Sequence, residues 1–153
     1  MNVKFMRIAI NEAKKARDND EVPIGAVIVK DGEIIARAHN STEKHQDATR
    51  HAEMIAIEKA SKKLKSWRLN GCEMYVTVEP CAMCAGAIVN ARMDKVFYGA
   101  SEEKSGCAES KYPILTDSGL NHTVDFLGGI LEEECSELLK NYFKSKRVRK
   151  SLD

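Results

Sequence analysis

Apolar positions recur at helical spacing along the first segment. Met6, Ala9, Ile10, Ala13 and Ala16 fall between charged residues, which predicts an amphipathic helix ending near residues 18–21. The period then shortens. Residues 24–29 and 34–38 are short runs rich in β-branched side chains, and Asp31-Gly32 between them is a two-residue hairpin signal, so two antiparallel strands are expected. Polar residues 40–49 read as a loop, with Asp47 or Thr49 available to cap a second helix that Ala52, Ile55, Ala56 and Ala60 mark and that fades around Lys65. Residues 74–78 predict a third strand, Pro80 opens a helix through Ala91, and residues 95–100 predict a fourth strand. This succession reads as a parallel crossover. Residues 101–121 are the least regular stretch, residues 123–127 suggest a short fifth strand, and residues 131–146 read as a closing helix. No internal repeat is visible. The alternation predicts a three-layer α/β domain, a five-stranded mixed sheet with helices on both faces.

Composition narrows the class. A chain of 153 residues fits one globular domain over 1–153, able to bury about 68–70% of its unfolded surface. With 43% hydrophobic and 31% charged residues it is neither disordered nor fibrous. A net charge of +1 makes no global case for nucleic acid, so any such partner must be argued from local clustering. Five cysteines, an odd count, follow a first segment in which Lys4, Arg7 and Glu12 interrupt the apolar pattern. That segment lacks a signal-peptide core, and reduced thiols in the cytoplasm are expected. The longest apolar stretch, residues 22–29, is far short of the roughly 20 residues that cross a bilayer, so no membrane partner is expected.

The chemistry concentrates in two short motifs at predicted helix starts, His51-Ala52-Glu53 and Pro80-Cys81-Ala82-Met83-Cys84. Cys81 and Cys84 lie three apart on a helix, so their sulfurs share one face, and a helix N-terminus favours the thiolate form that binds metal. His51 supplies a third ligand if the two helix ends meet. Three protein ligands on tetrahedral zinc leave a fourth position for water, whose pKa a catalytic zinc lowers to roughly 7. A carboxylate held beside that water but off the metal is then needed to move protons, and Glu53 is the candidate. A lone C-x-x-C also suits a structural zinc. That alternative wants four protein ligands, whereas Cys72, Cys107 and Cys135 stand singly and read as packing thiols, and His39, His45 and His122 read first as hydrogen-bonded residues.

The combination of H-x-E with P-C-x-x-C resembles the signature of zinc nucleobase deaminases. Across residues 6–147 the chain further resembles the bacterial tRNA-specific adenosine deaminases. That resemblance rests on Glu21-Val22-Pro23-Ile24-Gly25-Ala26, Ala38-His39-Asn40, Trp67-Arg68-Leu69, the run from Tyr75 to Ile88 and Leu120-Asn121-His122. It implies a cytidine-deaminase-like fold, one catalytic zinc per chain, a homodimer, and conversion of a wobble adenosine in a tRNA anticodon loop to inosine. By position it implies His51, Cys81 and Cys84 as zinc ligands, Glu53 as proton shuttle and Asn40 as an amide that reads the purine. Residues 101–106 match the family's substrate-flanking loop, within which Lys104 is expected to meet phosphate. The chain departs from the family pattern at Ala48, at Arg50, at Glu102 and over residues 109–112, which leaves the shape of those loops and the sequence context open.

The C-terminal helix, about 131–150, adds a local argument for nucleic acid. Lys140, Lys144, Lys146, Arg147, Arg149 and Lys150 crowd a stretch without an acid, and Tyr142-Phe143 lie among them. Such a patch, Arg147 included, would neutralise RNA phosphates and release counterions. Its alternative is a solvated basic helix end that suits the macrodipole. Two other functions stay open on residues alone: a salvage deaminase of guanine, cytosine or a cytidine nucleotide, and a non-catalytic zinc or RNA-binding module. The basic tail argues against the first and Glu53 against the second.

Overall fold

The computed structural model describes residues 1–117 and 119–152. Helix α1 (Val3–Asp18) leads into the hairpin β1 (Gly25–Lys30) and β2 (Glu33–His39). Asp31 and Gly32 both take positive φ, 50° and 76°, the geometry of the predicted tight turn. A one-turn helix, α2 (Thr42–His45), follows, then α3 (Ala52–Leu64), β3 (Cys72–Val78), α4 (Ala82–Asn90), β4 (Lys95–Ala100), β5 (Asp125–Leu127) and α5 (Glu132–Leu152). The strand order is β2-β1-β3-β4-β5. β1 runs antiparallel to both its neighbours, β2 and β3, while β3, β4 and β5 run parallel to one another.

Period-two alternation assigns each face of the sheet its helices. Ala26, Ile28, Met74, Val76, Val96 and Tyr98 pack with Ala52, Ile55 and Ala56 of α3 and with Ala85 and Ile88 of α4. Val27, Val29, Tyr75 and Phe97 point to the other face, against Met6, Ala9 and Ile10 of α1 and Cys135 of α5. Fully burying one of the larger aliphatic or aromatic side chains contributes about 1.5–3 kcal/mol, so these two layers hold the sheet in place. Gly25 allows the closest approach: a Cβ there would collide with Ala9 O and lie 2.6 Å from Ala13 N, so α1 rests directly on the start of β1.

Four expectations from the sequence change. Residues 40–49, read as loop, contain the short helix α2. Neither Asp47 nor Thr49 caps α3: Asp47 accepts from Thr49 N at 2.8 Å and from Thr49 Oγ1 at 2.7 Å, closing its own turn, and the N-cap residue is His51. Helix α4 starts at Ala82, two residues after Pro80, and α5 runs to Leu152, beyond the predicted end. Among the described residues no helix is long and apolar enough to cross a membrane.

Candidate active site and metal centre

The crossover topology brings the N-termini of α3 and α4 to one end of the sheet. His51 and Cys81 are their N-cap residues, both in extended backbone conformation and neither spending its side chain on a cap. Cys84 lies one turn into α4 and is buried. The carboxamide of Asn40, at the end of β2, substitutes for the missing cap of α3, its Oδ1 accepting from Ala52 N at 3.0 Å. Asn40 thereby fixes the helix that carries His51 and Glu53.

His51 Nδ1 lies 3.6 Å from Cys81 Sγ and 3.6 Å from Cys84 Sγ. The donor atoms of all three residues fall within 4.8 Å of one another, the one such group of three among the described residues. A tetrahedral ion with Zn–S of about 2.3 Å and Zn–N of about 2.0–2.1 Å sets S···N edges at roughly 3.6 Å, so the donor set fits a zinc site with three protein ligands. The electrostatics favour a thiolate at Cys81. The Cys81 thiol is drawn down to about 4, first by the hydrogen bond from Cys84 and then by His51, against the effect of burial. Cys84, donor in that contact and more deeply buried, is pushed up. The thiol contact with Cys81 raises His51.

Glu53 is 3% exposed and lies on the first turn of α3. Burial pushes its carboxyl up to about 7, with the nearby Cys81 adding to the rise. It opens onto a cavity of about 390 Å³ that His51 and Cys81 also line, within the roughly 300–1,000 Å³ usual for small-ligand sites. Helix α5 contributes Leu139, Lys140, Phe143 and Arg147 to its lining, and Val22, Ile24, Glu102 and Ser105 are also part of it. Residues 139, 143 and 147 recur at helical spacing, so one stripe of α5 faces the cavity. A second stripe faces elsewhere: Lys146 Nζ and Arg149 Nη2 bond Asp20 at 2.8 and 3.3 Å, and Tyr142 Oη donates to Asp20 O at 3.2 Å.

The structure thus gathers His51, Glu53, Cys81 and Cys84 at one point and places Arg147 in the lining of the same cavity. Asn40 lies behind this group, buried, lining an adjoining cavity. Lys104 is exposed on the flanking loop, where its N–H donates to Glu102 Oε1 at 3.1 Å.

Two buried carboxylates escaped sequence reasoning. Glu79, at the end of β3 and 2% exposed, accepts from the N–H groups of Glu102, Ala108, Glu109 and Ser110 at 2.9–3.1 Å and from the Ser110 hydroxyl. Burial alone would raise its pKa, and these donors together hold it below the usual value. It grips the irregular loop that carries Glu102 and Ser105. Gly106 is required there, since a Cβ would collide with the Glu79 carboxyl. Glu21, likewise 2% exposed, accepts from Glu43 N and Lys44 N at 3.0 and 2.8 Å and holds α2. The available signal was an acid beside an apolar run, which by itself reads as a surface residue.

Known proteins give the arrangement its context. The family profile of MafB19-like deaminases matches residues 2–147. A tRNA-specific adenosine deaminase of Bacillus subtilis (strain 168) is 49% identical over 146 residues, 95% of this chain and 91% of that protein. A solved structure from work on A-to-I editing by tRNA:A34 deaminases superposes with a TM-score of 0.87 at 43% identity, covering 90% of this chain and 100% of that one. A guanine deaminase from Bacillus subtilis gives a TM-score of 0.64 at 45% identity but covers only 66% of each chain. The chain belongs to the MafB19-like deaminase family, among its tRNA-specific adenosine deaminases.

Proposed function

We propose that this chain hydrolytically deaminates adenosine to inosine at the wobble position of tRNA, with one zinc ion held by His51, Cys81 and Cys84. One observation carries the reading. Three metal donors converge beside a buried carboxylate outside their set, at a cavity that the basic stripe of α5 also lines. Bound there, zinc supplies a Lewis acid that makes water a nucleophile at neutral pH. Glu53 carries two protons in turn, one from the attacking water to the purine ring nitrogen and one from the added hydroxyl to the departing amine, so adenosine and water become inosine and ammonia. Asn40 acts by orienting α3 through Ala52 N, and its amide is the group assigned to reading the purine. Val22, Ile24 and Phe143 give the base an apolar surround, while Lys140, Arg147 and Lys104 meet RNA phosphates. An unpaired anticodon base enters such a pocket at a smaller unstacking cost than a duplex base.

The outward face of α4, with Ala82, Gly86 and Asn90, is the surface we assign to a homodimer, because small side chains beside the half-buried Ile114 permit close approach. All five cysteines are free, in keeping with a cytoplasmic enzyme. The test is ammonia release and inosine formation from tRNA, guanine, cytosine and free adenosine, side by side. Turnover is expected with tRNA. Efficient turnover of a free base with tRNA inert moves the assignment to salvage metabolism.

A further inference from the structure

Behind the metal centre lies a second, separate cavity of about 260 Å³, bounded by the end of β2, α2 and one face of α3. Its lining is strongly one-sided in charge. Lys44, His45, Arg50 and Lys59 border it together with Asn40 and Ser41. Glu21 is the one carboxylate in its wall, and both Glu21 oxygens are already taken by the N–H groups of Glu43 and Lys44. Lys44 makes no ion pair among the described residues.

Arg50 is the unusual member. Its Nη1 donates to Glu58 Oε2 at 2.8 Å, which pins the guanidinium against α3, yet its Nε is buried and has no hydrogen-bond partner. It is the only such side-chain atom among the described residues. The ion pair with Glu58 and the enclosed Nε hold the guanidinium in one orientation, and it is the outer N–H groups of this partly exposed side chain that are preorganised for an anionic oxygen. The backbone ties this position to the active site: Arg50 O accepts from Ser41 N at 3.1 Å, and the next residue is His51.

We infer that this cavity is a phosphate-binding site, in which Arg50, with Lys44 and Lys59 around it, takes a backbone phosphate of the RNA outside the main cavity. The inference rests on the tRNA reading. It adds a second electropositive contact to the one that α5 offers. Arg50 is a phosphate contact here and takes no part in the metal centre.

The test measures tRNA binding as a function of salt for the parent, Arg50→Ala, Arg50→Lys and Lys44→Ala, with zinc content and melting temperature on each. Each lost phosphate contact is expected to weaken binding and reduce the slope of log affinity against log salt by about 0.7–0.9. Arg50→Lys, which keeps the charge, is expected to retain most of the slope. Parent-like affinity and slope in Arg50→Ala overturn the site. So does equal impairment of Arg50→Ala and Arg50→Lys, because that marks a packing role. Inorganic phosphate, compared with chloride at equal ionic strength, probes the other source. If it protects the parent against melting more than Arg50→Ala while the tRNA slope is unchanged, the cavity takes free phosphate and the RNA assignment falls. Inosine formation by the parent, read in the same samples, tests the deaminase reading independently.

Discussion

The two walls of the main cavity are built on opposite principles. On the inner wall, His51, Glu53, Cys81 and Cys84 sit on the first turns of two helices, with Glu53 and Cys84 fully enclosed and the donor atoms within 4.8 Å of one another. On the outer wall, α5 offers Lys140, Phe143 and Arg147 on a largely exposed helix whose hold on the body includes Asp20 and Tyr142. Close packing makes the inner wall intolerant, since each group has a single neighbour set and its role depends on that geometry. Exposure makes the outer wall additive: each charge acts on phosphate through a screened field and is exchangeable for another. Chemistry therefore depends on single atoms, and affinity on a sum.

That contrast sets an order of effects. The largest is Cys81→Ala, which removes one of the three proposed ligands and is expected to cost nearly all bound zinc and all deamination, read by elemental analysis beside inosine formation. A variant that kept its full metal load would break the inner-wall account. Glu79→Gln comes next. It replaces a carboxylate that collects five donors with an amide that cannot accept them all, and is expected to destabilise by about 1–3 kcal/mol in denaturant melts. Turnover should fall with zinc retained, and hydrogen exchange should speed up at Ala108, Glu109 and Ser110.

On the outer wall the effects shrink. Arg147→Ala is expected to lower tRNA affinity and reduce the salt slope by about 0.7–0.9, whereas Arg149→Ala, whose guanidinium faces Asp20, should move the slope less. Equal effects would show that the division of α5 into two stripes has no bearing on RNA binding. The smallest effect concerns pH, away from the cavity. Burial pulls the Glu12 carboxyl upward, but hydrogen bonds from Lys15 at 2.6 Å and His39 at 3.1 Å outweigh it and hold the group below its usual value of 4.5. A depressed folded pKa contributes stability that is present above pH 4.5 and lost as pH falls through the folded value. Glu12→Gln should flatten that part of the stability profile, by on the order of 1 kcal/mol in pH-dependent melts.

The same division explains what the sequence revealed. The sheet was legible because β-branched runs alternate cleanly and Asp31-Gly32 permits only a tight turn. The metal donors were legible because the chemistry restricts residue type and spacing together. Helix α2 was not: Thr42–His45 is a single polar turn without an apolar face, held by Glu21 across 22 and 23 residues of chain. The capping of α3 was missed for a related reason, since local candidates Asp47 and Thr49 bond each other and the acceptor arrives from Asn40, on another element. Long-range satisfaction of backbone N–H groups by buried side chains leaves no periodic trace. Glu79 shares that property, gathering the N–H groups of a loop, and the unpartnered Nε of Arg50 leaves no periodic trace either.

The central claim is that holding the metal and moving the proton are separate tasks within the inner wall, and Glu53→Ala tests it most directly. Zinc content and inosine formation from tRNA are measured on one sample. The account predicts one zinc per chain, a parent-like melting temperature and a turnover reduced by at least roughly 10²–10⁴-fold. Parent-like turnover would contradict the proton role, and loss of zinc would make Glu53 a ligand.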